Sequence, residues 1–236
     1  MWHSTTLSDS TSWSKIDINV NHVHVTSTTK DDSLVVCQLV FNALQMNKKV
    51  SILSLNRDAL YILKHLEAKV PHFFKEDSKI KDVLSNLTIY NRENVLPTIE
   101  KFCYLLDSSL DIFMKGLARA DVVVVDGLHV LYEHACGLIN LYLALQYIKT
   151  KCKLITSMIL NEFSNVSLRD FNEQIQSISQ KVIKVKKTGQ REARNISGKI
   201  IIYRIDDIRV DCEHFWYMVT SRTIYFTPTQ TYTKLI

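Results

Sequence analysis

The chain has 236 residues, 46% of them apolar, and a formal net charge of +5. That size fits one α/β domain with a full core, and the apolar content excludes disorder over most of the length. The mild positive balance permits contact with nucleic acid without requiring it, and no apolar run reaches the roughly 18 residues needed to span a membrane.

Residues 1–15, MWHSTTLSDSTSWSK, read as a flexible, Ser/Thr-rich N-terminus. They carry no signal peptide, so the expected compartment is the cytoplasm, with the nucleus as a second one. Apolar strands and helices then alternate. NHVHVTS (21–27) reads as a strand and DDSLVVCQLVFNALQM (31–46) as a helix opened by an Asp/Ser cap. KVSILSL (49–55) is a strand, and NRDALYILKHLEAKV (56–70) an amphipathic helix. LTIYN (87–91) is a strand and 96–120 is helical. ADVVVVDG (120–127) carries the continuous apolar run of a strand buried on both faces. GLINLYLALQYIKT (137–150) is a helix, KLITSMIL (153–160) a strand and LRDFNEQIQSIS (168–179) a helix. After that the pattern changes: KVIKVKK, KIIIYRI, FWYMVTS and TIYFTP read as consecutive strands. Such an order predicts an α/β fold with a mainly parallel sheet, extended along one edge by antiparallel strands. No linker splits residues 16–236, which read as a single domain.

The five cysteines, Cys37, Cys103, Cys136, Cys152 and Cys212, form no CxxC pair and read as free thiols of a reducing compartment. His22 and His24 lie two apart on a strand and share a face, but no third ligand sits nearby. A solvent-facing or capping role is the expectation for both, and no metal site is expected. Glu162 reads as a solvated loop acid, and no GxSxG elbow is present.

VVVVDG has the Walker B pattern, an apolar strand ending in an acid, here Asp126. In nucleotide hydrolases that acid helps hold Mg²⁺. Its Walker A partner belongs in the loop between the first strand and the first helix, TSTTKDDS, and that loop has no glycine. Lys30 and Ser33 echo the motif, but Asp31 and Asp32 stand where phosphate would sit, and two carboxylates repel a polyphosphate. The expectation is a degenerate nucleotide loop, no cofactor and no enzymatic activity of the chain itself.

The strongest functional signal is KVKKTGQREARNISGKIIIYR, residues 184–204. Between Lys181 and Arg209 there are nine Lys or Arg and three acids, so cations dominate the segment. Gly189 and Gly198 bracket QREARNIS and read as hinges of a projecting loop. Lys186, Lys187, Arg191 and Arg194 are then candidate phosphate contacts. No aromatic lies inside the loop, which disfavours base stacking there.

This segment resembles the small subunits of Elongator. The pattern of that family is Thr-Gly, a basic stretch, then Asp-Val-x-Gly before an apolar strand. In this chain it is Thr188-Gly189, then Ala193 to Gly198, then Lys199 to Arg204. The ending HFWYMVTSRTIYFTPTQTYTKLI is similar to that of the sixth subunit, and KDDSLVVCQLVFNAL looks like its degenerate first loop and helix. Asn195 departs from the usual Asp, and Gln190 from a common aromatic. The resemblance implies a three-layer RecA-like fold lacking a working P-loop. It also implies membership of a hetero-hexameric ring with subunits four and five. Such a ring binds tRNA and serves wobble-uridine modification, whose chemistry belongs to a different, catalytic subcomplex. No membrane partner is implied. The degenerate paralogues of recombinases share the lost P-loop and form the alternative, as DNA-repair accessory proteins. An active hydrolase with an unusual loop is a third reading, which the glycine-free loop disfavours.

Overall fold

A computed structural model describes residues 16–28, 32–58, 61–64, 84–92, 117, 119–134, 138–161, 164–187, 196–206, 209–219 and 224–235. The N-terminus 1–15 and most of the predicted helices 56–70 and 96–120 lie outside them. The strands are β1 (His22–Ser27), β2 (Val50–Ser54), β3 (Leu87–Asn91), β4 (Val122–Asp126), β5 (Lys153–Ile159), β6 (Lys181–Lys187), β7 (Gly198–Ile205), β8 (Arg209–Val219) and β9 (Ile224–Leu235). The helices are α1 (Asp32–Gln45), α2 (Leu128–His134), α3 (Leu138–Lys151) and α4 (Val166–Ser177). The chain divides into two compact units, residues 36–158 and residues 1–35 with 159–236.

In the unit 36–158 the strand order is β3-β2-β4-β5, all parallel. Val122, Val123, Val124 and Val125 are at most 2% exposed, so β4 is covered on both faces as its unbroken apolar run predicts. The strands begin in step because Asp121 ties them. Its carboxylate accepts from the Lys49 N–H at 2.9 Å, and its carbonyl from the Lys153 N–H at 3.0 Å. Helix α1 ends where Asn47 turns left-handed at φ 55°. The Asn47 and Lys48 N–H groups then reach back to the carbonyls of Leu44 and Ala43, which closes the last turn.

In the other unit the order is β1-β6-β7-β8-β9. β1 and β6 are parallel, and β6 to β9 form an antiparallel meander. Helix α4 starts where the Asn165 side chain accepts from the Leu168 N–H at 2.7 Å, so this residue of a sequon serves as a helix cap. His22 and His24 are fully buried, which overturns the solvent-facing expectation. Every residue of β1 is buried, so neither histidine can reach water. Each is hydrogen-bonded instead: His24 Nε2 to Asn172 Oδ1 at 2.9 Å, and His22 Nδ1 to Ser179 Oγ at 3.2 Å. Burial pushes the His24 imidazole down to about 4, opposed by the Asn172 hydrogen bond. Lys181, 1% exposed, forms an ion pair with Asp17. No helix among the described residues is long and apolar enough to cross a membrane.

Candidate nucleic-acid interface and degenerate nucleotide site

Asp126 is the last residue of β4 and is fully buried. The Arg57 guanidinium and the Ser157 hydroxyl, at 2.7 Å for the latter, both donate to its Oδ1. The same hydroxyl accepts from the Gly127 N–H at 3.1 Å. The Asp126 carbonyl accepts from the N–H groups of Leu55 and Asn56 at 2.9 and 3.1 Å. Gly127, at φ 102°, makes this clamp possible: a Cβ there would lie 2.7 Å from Asn56 Cβ and 2.9 Å from its nitrogen. The Walker B-like acid therefore has a guanidinium on one of its two oxygens, and that positive charge opposes a cation beside it. Sequence reading found Asp126 and missed Arg57. An Asn-Arg-Asp turn after a strand gives no sign of which acid it will meet.

The ends of β2 and β3 add a polar cavity of about 390 Å³, lined by Leu55, Asn56, Arg57, Asp58, Asn91 and Arg92. Asn56 Nδ2, Asn91 Oδ1 and Asp126 Oδ2 are buried with no hydrogen-bond partner. Burial lowers the His129 imidazole below its ordinary value; Glu133 and Asp126 act against burial, and Arg57 and Arg92 act with it. Among the described residues, no three His, Cys, Asp or Glu side chains converge as a metal site. Of the degenerate Walker A residues, Lys30 and Asp31 lie outside the described residues. Asp32 opens α1, and Ser33 is buried at 4% exposed.

The predicted phosphate contacts divide. Lys186 and Lys187 end β6 and are exposed. Arg191, Arg194 and Gly189 lie outside the described residues. Gly198 is the first residue of β7, and its place there has a packing cause. A Cβ would come within 2.4 Å of the Lys186 carbonyl oxygen and 2.5 Å of the Tyr217 ring.

Register brings further residues to Lys186. It pairs with Lys199, which pairs with Trp216. The next row is Lys184, Ile201 and His214, and the one after is Val182, Tyr203 and Cys212. Lys199 Nζ stands 5.6 Å from the Trp216 ring centre, and Lys184 Nζ 5.2 Å from that of Tyr203. Burial pushes the Cys212 thiol up, which keeps it uncharged. Burial lowers the Lys184 ammonium, with Lys186 adding to the effect and Glu173 opposing it.

No protein-family model matches the chain, and no curated protein matches it in sequence. Solved structures do. A KaiC-like protein of the hyperthermophilic archaeon Pyrococcus horikoshii is similar over 88% of this chain and 89% of its own, with a TM-score of 0.58 and 12% identity. The flagellar accessory protein FlaH of Methanocaldococcus jannaschii is similar over 89% of each chain, with a TM-score of 0.58 and 14% identity. At such identities the likeness speaks for the fold alone, and that fold is the RecA-like α/β fold, with a mostly parallel sheet and antiparallel C-terminal strands.

Proposed function

We propose that the chain is a non-catalytic RecA-fold subunit of Elongator, the counterpart of its sixth subunit. It would sit with subunits four and five in a hetero-hexameric ring that binds tRNA, in the cytoplasm or nucleus. The RecA-like fold supports this reading, as does the Thr188 to Arg204 segment with its resemblance to the small Elongator subunits.

One observation carries the non-catalytic part. A RecA-like fold implies a nucleotide with Mg²⁺, and these residues do not fit that group. Arg57 forms a buried ion pair with Asp126, so the carboxylate is already neutralised by a guanidinium, with Ser157 on the same oxygen. A metal ion on the other oxygen would sit beside that guanidinium in the protein interior, where like charges repel strongly. The glycine-free loop at 26–33 adds to the mismatch.

The test is a pull-down of the tagged chain from its own cells, with partners identified by mass spectrometry. Recovery of Elongator subunits four and five is the expected result. Recovery of recombination factors in their place would keep the fold and overturn the function.

A further inference from the structure

We propose that the face of β6, β7 and β8 carrying Lys186, Lys199 and Trp216 is a stacking platform for unpaired nucleotides. It deepens the tRNA reading, on which it rests, by naming the part of the nucleic acid that this surface takes.

Strand alternation sorts the side chains of the three strands into two sets. One set includes Ile183, Val185, Ile200, Ile202, Phe215 and Tyr217, all buried, with Asp211, Glu213 and the exposed Lys187 on the same face. The other holds Val182, Lys184, Lys186, Lys199, Ile201, Tyr203, Cys212, His214 and Trp216. Lys186 is exposed, Val182 and Ile201 are buried, and the rest are half-buried. On β6 to β8 this second face has no Asp or Glu at all. Its lysines therefore present charge to an anion with no carboxylate between them on these strands, and Glu173 of α4 is an acid that acts on Lys184.

The two rings supply what the basic loop lacks. Stacking on an aromatic face tolerates any base, and a neighbouring ammonium takes the phosphate. Both pieces are paired here twice, at Lys199 with Trp216 and at Lys184 with Tyr203. Tyr203 lies four residues along β7 from Lys199, the partner of Trp216. At about 3.3 Å per residue the two ring sites stand roughly 13 Å apart along the strands. That span suits a short run of two or three nucleotides, the number stacked on the sheets of known RNA-binding modules. A duplex keeps its bases paired and cannot offer their faces.

The experiment is an anisotropy titration of fluorescently end-labelled RNA with the full chain, using an eight-nucleotide oligouridine, an eight-base-pair RNA duplex and whole tRNA. The oligouridine is expected to bind more tightly than the duplex. Trp216→Ala is expected to weaken oligouridine binding about tenfold, and Trp216→Phe less, because the ring is kept. Lys186→Glu, at an exposed position that leaves folding intact, is expected to reduce the salt slope by about 0.7 per lost phosphate contact. If tRNA binds but all three variants bind oligouridine like the parent, the platform is wrong and the tRNA reading stands. If neither tRNA nor oligouridine binds the chain or its ring, both are wrong. Equal affinity for duplex and single strand also overturns the platform.

Discussion

Arg57 and Asp126 show how a single ion pair can define a site. The guanidinium is 7% exposed and the carboxylate fully buried, so removing one partner strands a charge in the interior. Arg57→Ala is expected to cost about 3 kcal/mol in denaturant unfolding. Adding Asp126→Asn to that variant is expected to recover part of the loss, since it removes the stranded charge. His24 makes a different prediction. Its imidazole stays neutral in the fold down to about 4, while the unfolded chain takes up a proton near 6.5. Stability from this group is full above pH 6.5 and falls as the pH drops toward 4. The loss over that window is about 3 kcal/mol, at 1.36 kcal/mol per unit. Unfolding curves at pH 7 and pH 4.5 check it, and His24→Gln should flatten the difference.

Elements were the most legible part of the sequence. LTIYN gave β3 with both ends correct, and KVIKVKK gave β6 likewise, because a strand bounded by polar residues states its own limits. Helix α2 was missed. The apolar run continues from VVVV through LHVLY, and only the left-handed turn at Gly127 separates strand from helix. The face of the C-terminal strands was not legible either. Alternation shows that Phe215 and Tyr217 oppose Trp216, but which set faces inward depends on what packs below. The structure buries Phe215 and Tyr217 at 4% and 2%. Register explains the rest of the gap. Lys186, Lys199 and Trp216 are far apart in sequence, and only pairing unites them. Gly198→Ala is expected to cost about 2 kcal/mol as an overpacking change. The new Cβ meets a backbone carbonyl that cannot rotate away, and a thermal unfolding scan checks it.

At the scale of the whole molecule, the alternating pattern predicted a mainly parallel sheet extended by antiparallel strands, because parallel strands with helical crossovers admit few topologies, and the resemblance of the Thr188 to Arg204 segment narrowed that to a RecA-like arrangement. The candidate nucleotide site was half legible: a missing glycine can be seen in sequence, an arginine reaching back to Asp126 cannot. On the proposed reading, the isolated chain releases no phosphate from ATP, and Arg57→Ala does not switch hydrolysis on. A phosphate-release assay on both proteins checks this, and turnover by the parent chain would favour an active hydrolase.

The pairing of β1 with β6 has a consequence for how the protein is made. Asn21, just before β1, donates its backbone N–H to the Gln180 side chain 159 positions away. A ribosome adding 5–20 residues per second takes roughly 8–30 s to cover that distance. For all of that time the first strand has no β6 beside it, whereas the unit 36–158 is contiguous and can form during synthesis. A nascent chain arrested before Lys181 should therefore bind ribosome-associated chaperones through residues 22–27, and release them once β6 has emerged.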